Sequence, residues 1–270
     1  MKKTLLLTEN FPPKEGGSGR WFWELYSRLP NDKVLIVAND TPEGREFDKT
    51  HELDIVRIEL ESTEWGLAST KGLGFYWETI RKVLKLVKEH GIEEVHCGRV
   101  IPEGVIARAL KLLAGARYNC FVHGEDVETA ATSREHSLLV KNVCKNASML
   151  ICNSENTANI VRKLGFDSGS KCEVLHPGVD TSRFEVAAPD TSFRQKMGWS
   201  GKRVLLTVGR LQRRKGQDFL IKSMPALLNE FPDLFYAVVG RGECYDELIS
   251  LVDQHELHDN VCVYPDMDDE

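Results

Sequence analysis

Hydrophobic positions along the chain alternate between short β-branched runs and longer segments with helical spacing. Short apolar runs predict buried strands, and apolar residues three and four positions apart predict helices. The predicted strands are 3–8, 33–38, 54–60, 94–97, 118–122, 149–152, 171–175, 203–208, 235–239 and 261–264. The predicted helices are 20–29, 80–87, 102–113, 133–145, 154–164, 217–231 and one through Leu248 and Leu251. Repeated alternation of strands and helices predicts the α/β class, with parallel sheets covered by helices on both faces.

The periodic pattern lapses over residues 184–193, where Glu, Ala, Pro, Asp and Thr predominate. A polar interruption of this kind is typical of a domain boundary, and a chain of 270 residues is long enough for two domains. We therefore predict domains at 1–186 and 187–270. The second span contains three predicted strands and two predicted helices, so its sheet is expected to be incomplete.

Composition and charge narrow the function classes. Lys plus Arg number 35 against 41 Asp plus Glu, a net charge of −6, which argues against a surface for nucleic acid. The apolar run at the N-terminus breaks at Glu9, which favours a first buried strand over a signal peptide. The seven cysteines are scattered without a Cys-x-x-Cys pair, and the eight histidines form no zinc motif. Reduced thiols in a cytoplasmic protein without a metal site are expected.

The predicted helix 80–87 has a second interpretation. Its polar face carries Arg81, Lys82, Lys85 and Lys88, and the aromatic segment 75–77 precedes it. Basic residues beside aromatics are typical of helices that lie on a membrane surface. A sheet-covering helix with a solvated face is preferred, because the aromatic group is short for an interfacial anchor.

Candidate chemistry concentrates in residues 204–216. An apolar run ends at Gly209, cations follow, including Arg210 and Lys215, and Gly216 then opens a helical pattern. Glycines let the backbone approach a ligand, and a helix N-terminus favours an anion. Arg210 and Lys215 are therefore candidates for holding the phosphates of a nucleotide. A solvated basic loop explains the same residues equally well, and at this point both interpretations stand.

Six motifs in order along the chain resemble glycosyltransferase family 4, the retaining, sugar-nucleotide-dependent enzymes of the GT-B fold. They are Phe11-Pro12-Pro13 with Gly16-Gly17 and Arg20; His123-Gly124-Glu125-Asp126; Asn153-Ser154; His176 to Asp180 with Phe184; Val208-Gly209-Arg210-Leu211 with Lys215-Gly216; and Val239-Gly240-Arg241-Gly242. The resemblance extends from Thr4 to Tyr264.

The resemblance implies two Rossmann-like domains that face each other across a cleft, with the acceptor on the N-terminal side and the nucleotide sugar mostly on the C-terminal side. The catalytic group it implies consists of Arg210 and Lys215 at the donor diphosphate and His123 beside the transferred sugar. The implied donor-binding residues are Gly16, Gly17, Gly209, Gly240, Arg241 and Gly242. The implied acceptor-side residues are Arg20, Glu125 and Asp126.

The implied reaction transfers a hexosyl group from a nucleotide-diphosphate sugar to a hydroxyl of a sugar or lipid-linked acceptor, with retention. Fixed cations and N–H dipoles meet the charge of the departing diphosphate, so no metal is required. The nucleotide sugar is a co-substrate, and no resident cofactor is expected. The implied location is the cytoplasm, with peripheral contact at the inner membrane left open.

One departure from the family pattern stands out. Family members carry two glutamates separated by seven residues and a last helix, and the 270 residues contain neither. This implies an activity that is impaired or depends on a partner chain or a second copy. The alternatives are a noncatalytic nucleotide-binding half and a sugar-nucleotide epimerase, which would form product without an acceptor. His123 as a core histidine and Asn153-Ser154 as a helix cap also remain open, and His176 is given no role.

Overall fold

A computed structural model of the chain describes residues 1–14, 16–62, 64–124, 127–128, 133–167 and 171–265. The chain divides into two compact units, Met1–Glu185 and Val186–Glu270. Each unit is built around one parallel sheet.

The first unit contains a sheet of seven strands in the order β3-β2-β1-β4-β5-β6-β7, and every pairing is parallel. The strands are β1 (Thr4–Thr8), β2 (Val34–Asn39), β3 (Ile55–Ile58), β4 (Glu94–Cys97), β5 (Arg117–Val122), β6 (Met149–Cys152) and β7 (Cys172–Val174). The described helices are α1 (Gly17–Tyr26), α2 (Pro42–Phe47), α3 (Thr70–Glu89), α4 (Glu103–Ala114), α5 (Arg134–Asn146) and α6 (Glu155–Lys163).

Strand β1 is a nearly continuous apolar run because both faces of the sheet are buried at this strand. Leu6 packs on one face against Trp21 and Phe22 of α1. Leu5 and Leu7 point to the opposite face, where α3, α4, α5 and α6 pack. Because all strands are parallel, the segments that follow β1, β4 and β5 lie at one edge of the sheet, and this carboxyl edge is where open α/β sheets place ligands.

The second unit contains a sheet of three strands in the order β10-β9-β8, also parallel. The strands are β8 (Arg203–Val208), β9 (Leu234–Val239) and β10 (Val261–Tyr264), and the helices are α7 (Thr191–Lys196), α8 (Gln217–Glu230) and α9 (Tyr245–Gln254). Trp199 and Phe235 pack on one face of the sheet, and Ile221, Met224 and Leu248 pack on the other.

Two short helices were not predicted. Helix α7 lies partly in the span predicted to be irregular, so the prediction of two helices in this part of the chain is wrong. It is initiated by Asp190, whose carboxylate accepts hydrogen bonds from the Ser192 and Phe193 amides. Helix α2 likewise begins after Thr41, whose hydroxyl accepts from Gly44 N. Helices this short depend on a cap rather than on apolar periodicity, so the periodic pattern misses them.

Three further predictions concern the cysteines, metal binding and membrane-spanning helices. All seven cysteines are free in the structure and five of them are buried, and their reduced state stays a prediction. Over the described ranges, no group of three or more His, Cys, Asp and Glu side chains is placed to hold a metal ion. Across the same ranges, the helices are too short or too polar to cross a bilayer. The cytoplasmic location stays a prediction.

Candidate functional site

The loop after β8 is anchored by one apolar and one polar side chain. Leu211 is fully buried in the core of the second unit. Gln217, the first residue of α8, is also buried, and its Nε2 donates to the Arg210 carbonyl at 3.1 Å. Between these anchors the chain makes a single 3₁₀ turn and reaches Gly216 at φ +74°. The Arg210 and Lys215 side chains are exposed on this fixed backbone.

The loops after β8 and β9 lie directly against each other. Leu211 N donates to the Arg241 carbonyl at 2.8 Å, and Gly209 N donates to the Val239 carbonyl at 2.9 Å. A Cβ at Gly240 would lie 2.1 Å from the Gly209 carbonyl oxygen, and a Cβ at Gly242 would lie 2.3 Å from that of Leu211. Both glycines also have positive φ, +144° and +157°. The backbone contact itself therefore requires glycine here, whereas the donor-binding roles of Gly209, Gly240, Arg241 and Gly242 stay predictions.

The cations of the β8–α8 loop differ in their partners. Arg213 forms an ion pair with Glu247 of α9, with Nη2 and Oε1 3.0 Å apart. Lys215 forms no ion pair with any residue that the structure describes. Lys215 stands immediately before the N-terminus of α8, where the free amides and the helix dipole favour an anion. The loop can therefore hold a phosphate group by charge and by backbone N–H together.

His123 follows β5 at the carboxyl edge of the first sheet. Its Nε2 lies 3.1 Å from the Gly98 carbonyl, so this nitrogen carries the proton, and the rings of Trp21 and Phe22 contact the imidazole edge-on. Burial lowers the pKa of His123, the Gly98 hydrogen bond opposes this, and the charge of Arg99 lowers the pKa further. The imidazole is therefore neutral at pH 7, with Nδ1 left as an acceptor. A catalytic role and a core role for His123 both remain compatible with this geometry.

Helix α1 begins at the same edge. Gly16 precedes it at φ +152°, and a Cβ at Gly17 would meet nothing within 4 Å, so a ligand has room to approach the backbone at Gly17. Arg20 lies one turn further on, exposed and paired with Glu24 at 2.6 Å. Its acceptor-side role stays a prediction, because the contact seen is an ordinary i,i+4 pair. Glu125 and Asp126 lie outside the described residues, and their roles stay predictions as well.

Asn153 and Ser154 form a helix cap, as the local interpretation of the sequence predicted. The Ser154 hydroxyl accepts from Thr157 N at 3.2 Å, and Asn153 Oδ1 accepts from the Thr157 hydroxyl at 2.7 Å. Both side chains are engaged at the start of α6.

A charged cluster at this edge, formed by Glu9, Arg99 and Glu103, was not predicted from the sequence. Arg99 follows β4 by two residues, and its Nη2 donates to Glu9 Oε2. Glu103 opens α4 and is fully buried. Its Oε1 accepts from Glu9 N at 3.0 Å and lies 3.8 Å from Arg99 Nε. Residues 9 and 103 are far apart in sequence, and only the pairing of β1 with β4 brings them together, so the sequence offered no signal for the cluster.

Similar solved structures agree on the fold. A structure of Anabaena Alr3699/HepE in complex with UDP matches with a TM-score of 0.78 and 18% identity, over 97% of this chain and 68% of that one. An α,α-trehalose-phosphate synthase from Burkholderia xenovorans matches with a TM-score of 0.70 and 10% identity, over 99% and 75% of the two chains. This likeness confirms the predicted GT-B class of α/β fold with parallel sheets.

Proteins of similar sequence support the same classification as the fold. GDP-mannose-dependent phosphatidylinositol monomannoside mannosyltransferases from Corynebacterium glutamicum and Mycolicibacterium smegmatis are 26% and 27% identical to this chain. The matches cover 89% and 90% of this chain but 61% and 62% of the relatives, so the chain spans about three fifths of their length. The sequence family Glycosyl transferases group 1 matches residues 190–270, and Glycosyltransferase Family 4 matches residues 15–183, well over half of the protein. The chain belongs to glycosyltransferase family 4.

Proposed function

We propose that the chain transfers a hexosyl group from a nucleotide-diphosphate sugar to a hydroxyl of a lipid-linked acceptor. The observation that carries this proposal is the anchored β8–α8 loop, which presents Arg210 and Lys215 at a helix N-terminus. Relatives named as GDP-mannose-dependent mannosyltransferases of phosphatidylinositol monomannoside support mannose as the sugar and a phosphoinositide glycolipid as the acceptor.

In the proposed mechanism, residues of the second unit stabilise the negative charge of the leaving group. The bond between the anomeric carbon and the diphosphate oxygen breaks, and the acceptor oxygen bonds to the same face of that carbon, so configuration is retained. The acceptor proton goes to the departing diphosphate. Arg210 and Lys215 stabilise the negative charge that develops on this group, which is the role a metal ion would otherwise serve. His123, which is neutral and has Nδ1 as its acceptor, is proposed to bind a sugar hydroxyl.

The test is a transfer assay with the purified chain, radiolabelled GDP-mannose and vesicles containing phosphatidylinositol monomannoside. We expect mannosylated lipid and GDP in equal amounts, at an unchanged rate in EDTA. Labelled UDP-glucose in a parallel reaction checks the donor. An altered sugar formed without vesicles would indicate an epimerase, and nucleotide binding without any product would indicate a noncatalytic half. Either result overturns the proposal. Dependence on a second copy or a partner chain is tested by repeating the assay across protein concentrations.

Peripheral membrane contact through α3 is also proposed. The buried side of this helix, including Val83 and Val87, packs on the first sheet, as the preferred interpretation of the sequence predicted. On its outer side Leu73 is 51% exposed and Trp77 is 71% exposed. The exposed cations of the same helix are Lys71, Arg81, Lys82, Lys85 and Lys88. Exposed apolar side chains beside cations suit the surface of an anionic bilayer.

Replacing Trp77 by alanine is expected to lower the binding of the chain to phosphatidylinositol vesicles about tenfold, since burying a large aromatic side chain favours binding by roughly 1.5–3 kcal/mol. Co-sedimentation at low salt measures this. The matched control is Phe219→Ala, because Phe219 is equally exposed at 71% but lies in the second unit. Wild-type chain that stays in the supernatant at low salt would contradict membrane contact.

A further inference from the structure

Burial of the Glu103 carboxyl is unfavourable for the stability of the fold. Its side chain is fully buried, and Oε2 has no hydrogen-bond partner among the described residues. Burial raises the pKa of this carboxyl, and the nearby charge of Arg99 opposes that rise. A buried carboxylate with one unpaired oxygen destabilises a fold, and a fully buried group of this kind calls for an explanation other than stability.

The contacts of Glu103 connect two segments of the carboxyl edge. Its Oε1 accepts from Glu9 N at 3.0 Å, and Glu9 opens the segment that leads to Gly16 and Gly17. The same oxygen lies 3.8 Å from Arg99 Nε, and Arg99 follows Gly98, whose carbonyl contacts His123. One carboxylate oxygen therefore touches both the β1–α1 segment and the β4–α4 segment.

The surroundings of Glu103 carry further charge. Arg99 is 15% exposed and also binds Glu9, which is 11% exposed. The Arg99 guanidinium lies 5.6 Å from the Trp65 ring centre. Lys14 binds the other oxygen of Glu9 at 2.7 Å. From α3, the hydroxyl of Tyr76 is near enough for Glu103 to help raise its pKa. The cluster thus runs from a fully buried carboxylate to a lysine at the surface.

We propose that Glu103 is a positioning residue, which fixes Glu9 and Arg99 and so sets the geometry of the edge that carries Gly17 and His123. This inference rests on the proposed function, in which that edge faces the acceptor. Glu103 itself is out of reach of any substrate. Its effect on transfer is exerted through Glu9 and Arg99.

Two variants separate the contacts. Glu103→Gln keeps an oxygen for the Glu9 amide but removes the charge opposite Arg99, whereas Glu103→Ala removes both. Glu155→Gln is the matched control, because Glu155 is likewise the first residue of a helix, α6, but is exposed and unpaired in the described part of the chain. If Glu103→Ala fails to fold, Glu9→Gln tests the same cluster from its more exposed end.

Hydrogen exchange provides a readout that needs no substrate. The Glu9 amide is expected to exchange about tenfold faster in Glu103→Ala than in the wild-type chain, and at a near wild-type rate in Glu103→Gln. Unchanged exchange in Glu103→Ala overturns the inference, whether or not the chain transfers sugar. Faster exchange in a chain that shows no transfer supports the positioning geometry and leaves only the proposed function refuted.

Kinetics distinguish positioning from plain stability. Glu103→Gln is expected to melt no lower than the wild-type chain, because it removes a buried charge while Arg99 keeps its ion pair with Glu9. It is nevertheless expected to raise KM for phosphatidylinositol monomannoside about tenfold. Glu155→Gln should change neither quantity. An activity loss in Glu103→Gln that simply follows a lower melting temperature would overturn the assignment.

Discussion

Replacing Gly242 by alanine is expected to lower the free energy of unfolding of the second unit by about 3 kcal/mol or more. The new Cβ would lie 2.3 Å from the Leu211 carbonyl oxygen and 2.7 Å from Leu211 N, both of them backbone atoms that no side-chain rotation can move. The φ of +157° adds a strain of its own. Backbone strain and overpacking cost about 1–3 kcal/mol each, and here they act at one residue.

Urea denaturation measures this effect, followed by hydrogen exchange in the peptide Arg203–Val208 so that only the second unit is observed. The control is Gly201→Ala. Gly201 has φ +70° but nothing within 4 Å of an added Cβ, so it isolates the cost of the positive φ at about 1 kcal/mol. Equal destabilisation by the two variants would show that the contact between the loops contributes nothing.

Strands β1, β2 and β9 were predictable because burial on both faces makes each of them a nearly contiguous apolar run. Strands β4, β6, β8 and β10 have the predicted bounds. Helix α3 is longer than predicted, because it begins at Thr70 and so includes the aromatic segment that was placed before it. The spacing that marks its core-facing side is clear only from Ile80 onward, and the first turns depend on the Ser69 cap instead.

The candidate site was predictable only where it is contiguous in sequence. Arg210, Lys215 and the glycines around them lie within a few residues, so a strand, a loop and a helix N-terminus could be recognised together. Gly240 and Gly242 were assigned to ligand approach, whereas the structure shows each packed against the backbone of the β8–α8 loop. The cluster of Glu9, Arg99 and Glu103 forms because β1 pairs with β4. The order of strands in a sheet cannot be predicted from hydrophobic periodicity.

Arg210→Ala and Lys215→Ala are each expected to weaken binding of a nucleoside diphosphate about ten- to hundredfold. Each variant removes one charge-assisted hydrogen bond to a phosphate, while the Leu211 and Gln217 anchors keep the loop in place. Calorimetric titration with GDP, UDP and ADP measures the effect and identifies the base that the chain prefers. The loss should be alike for the three nucleotides, because both cations are assigned to phosphate and neither to the base.

Arg213→Ala is the matched control for these variants. Arg213 lies on the same loop, is exposed like Arg210 and Lys215, and pairs with Glu247, so it is assigned no phosphate contact. If the loop attracted phosphate only as a diffuse basic patch, all three substitutions would weaken binding to a similar, salt-sensitive degree. If Arg210 and Lys215 contact the diphosphate, Arg213→Ala should change nucleotide affinity less than threefold. Arg210→Ala and Lys215→Ala should each lower it at least tenfold. Wild-type affinity in all three variants would remove the β8–α8 loop from the donor site and, with it, the observation on which the proposed function rests.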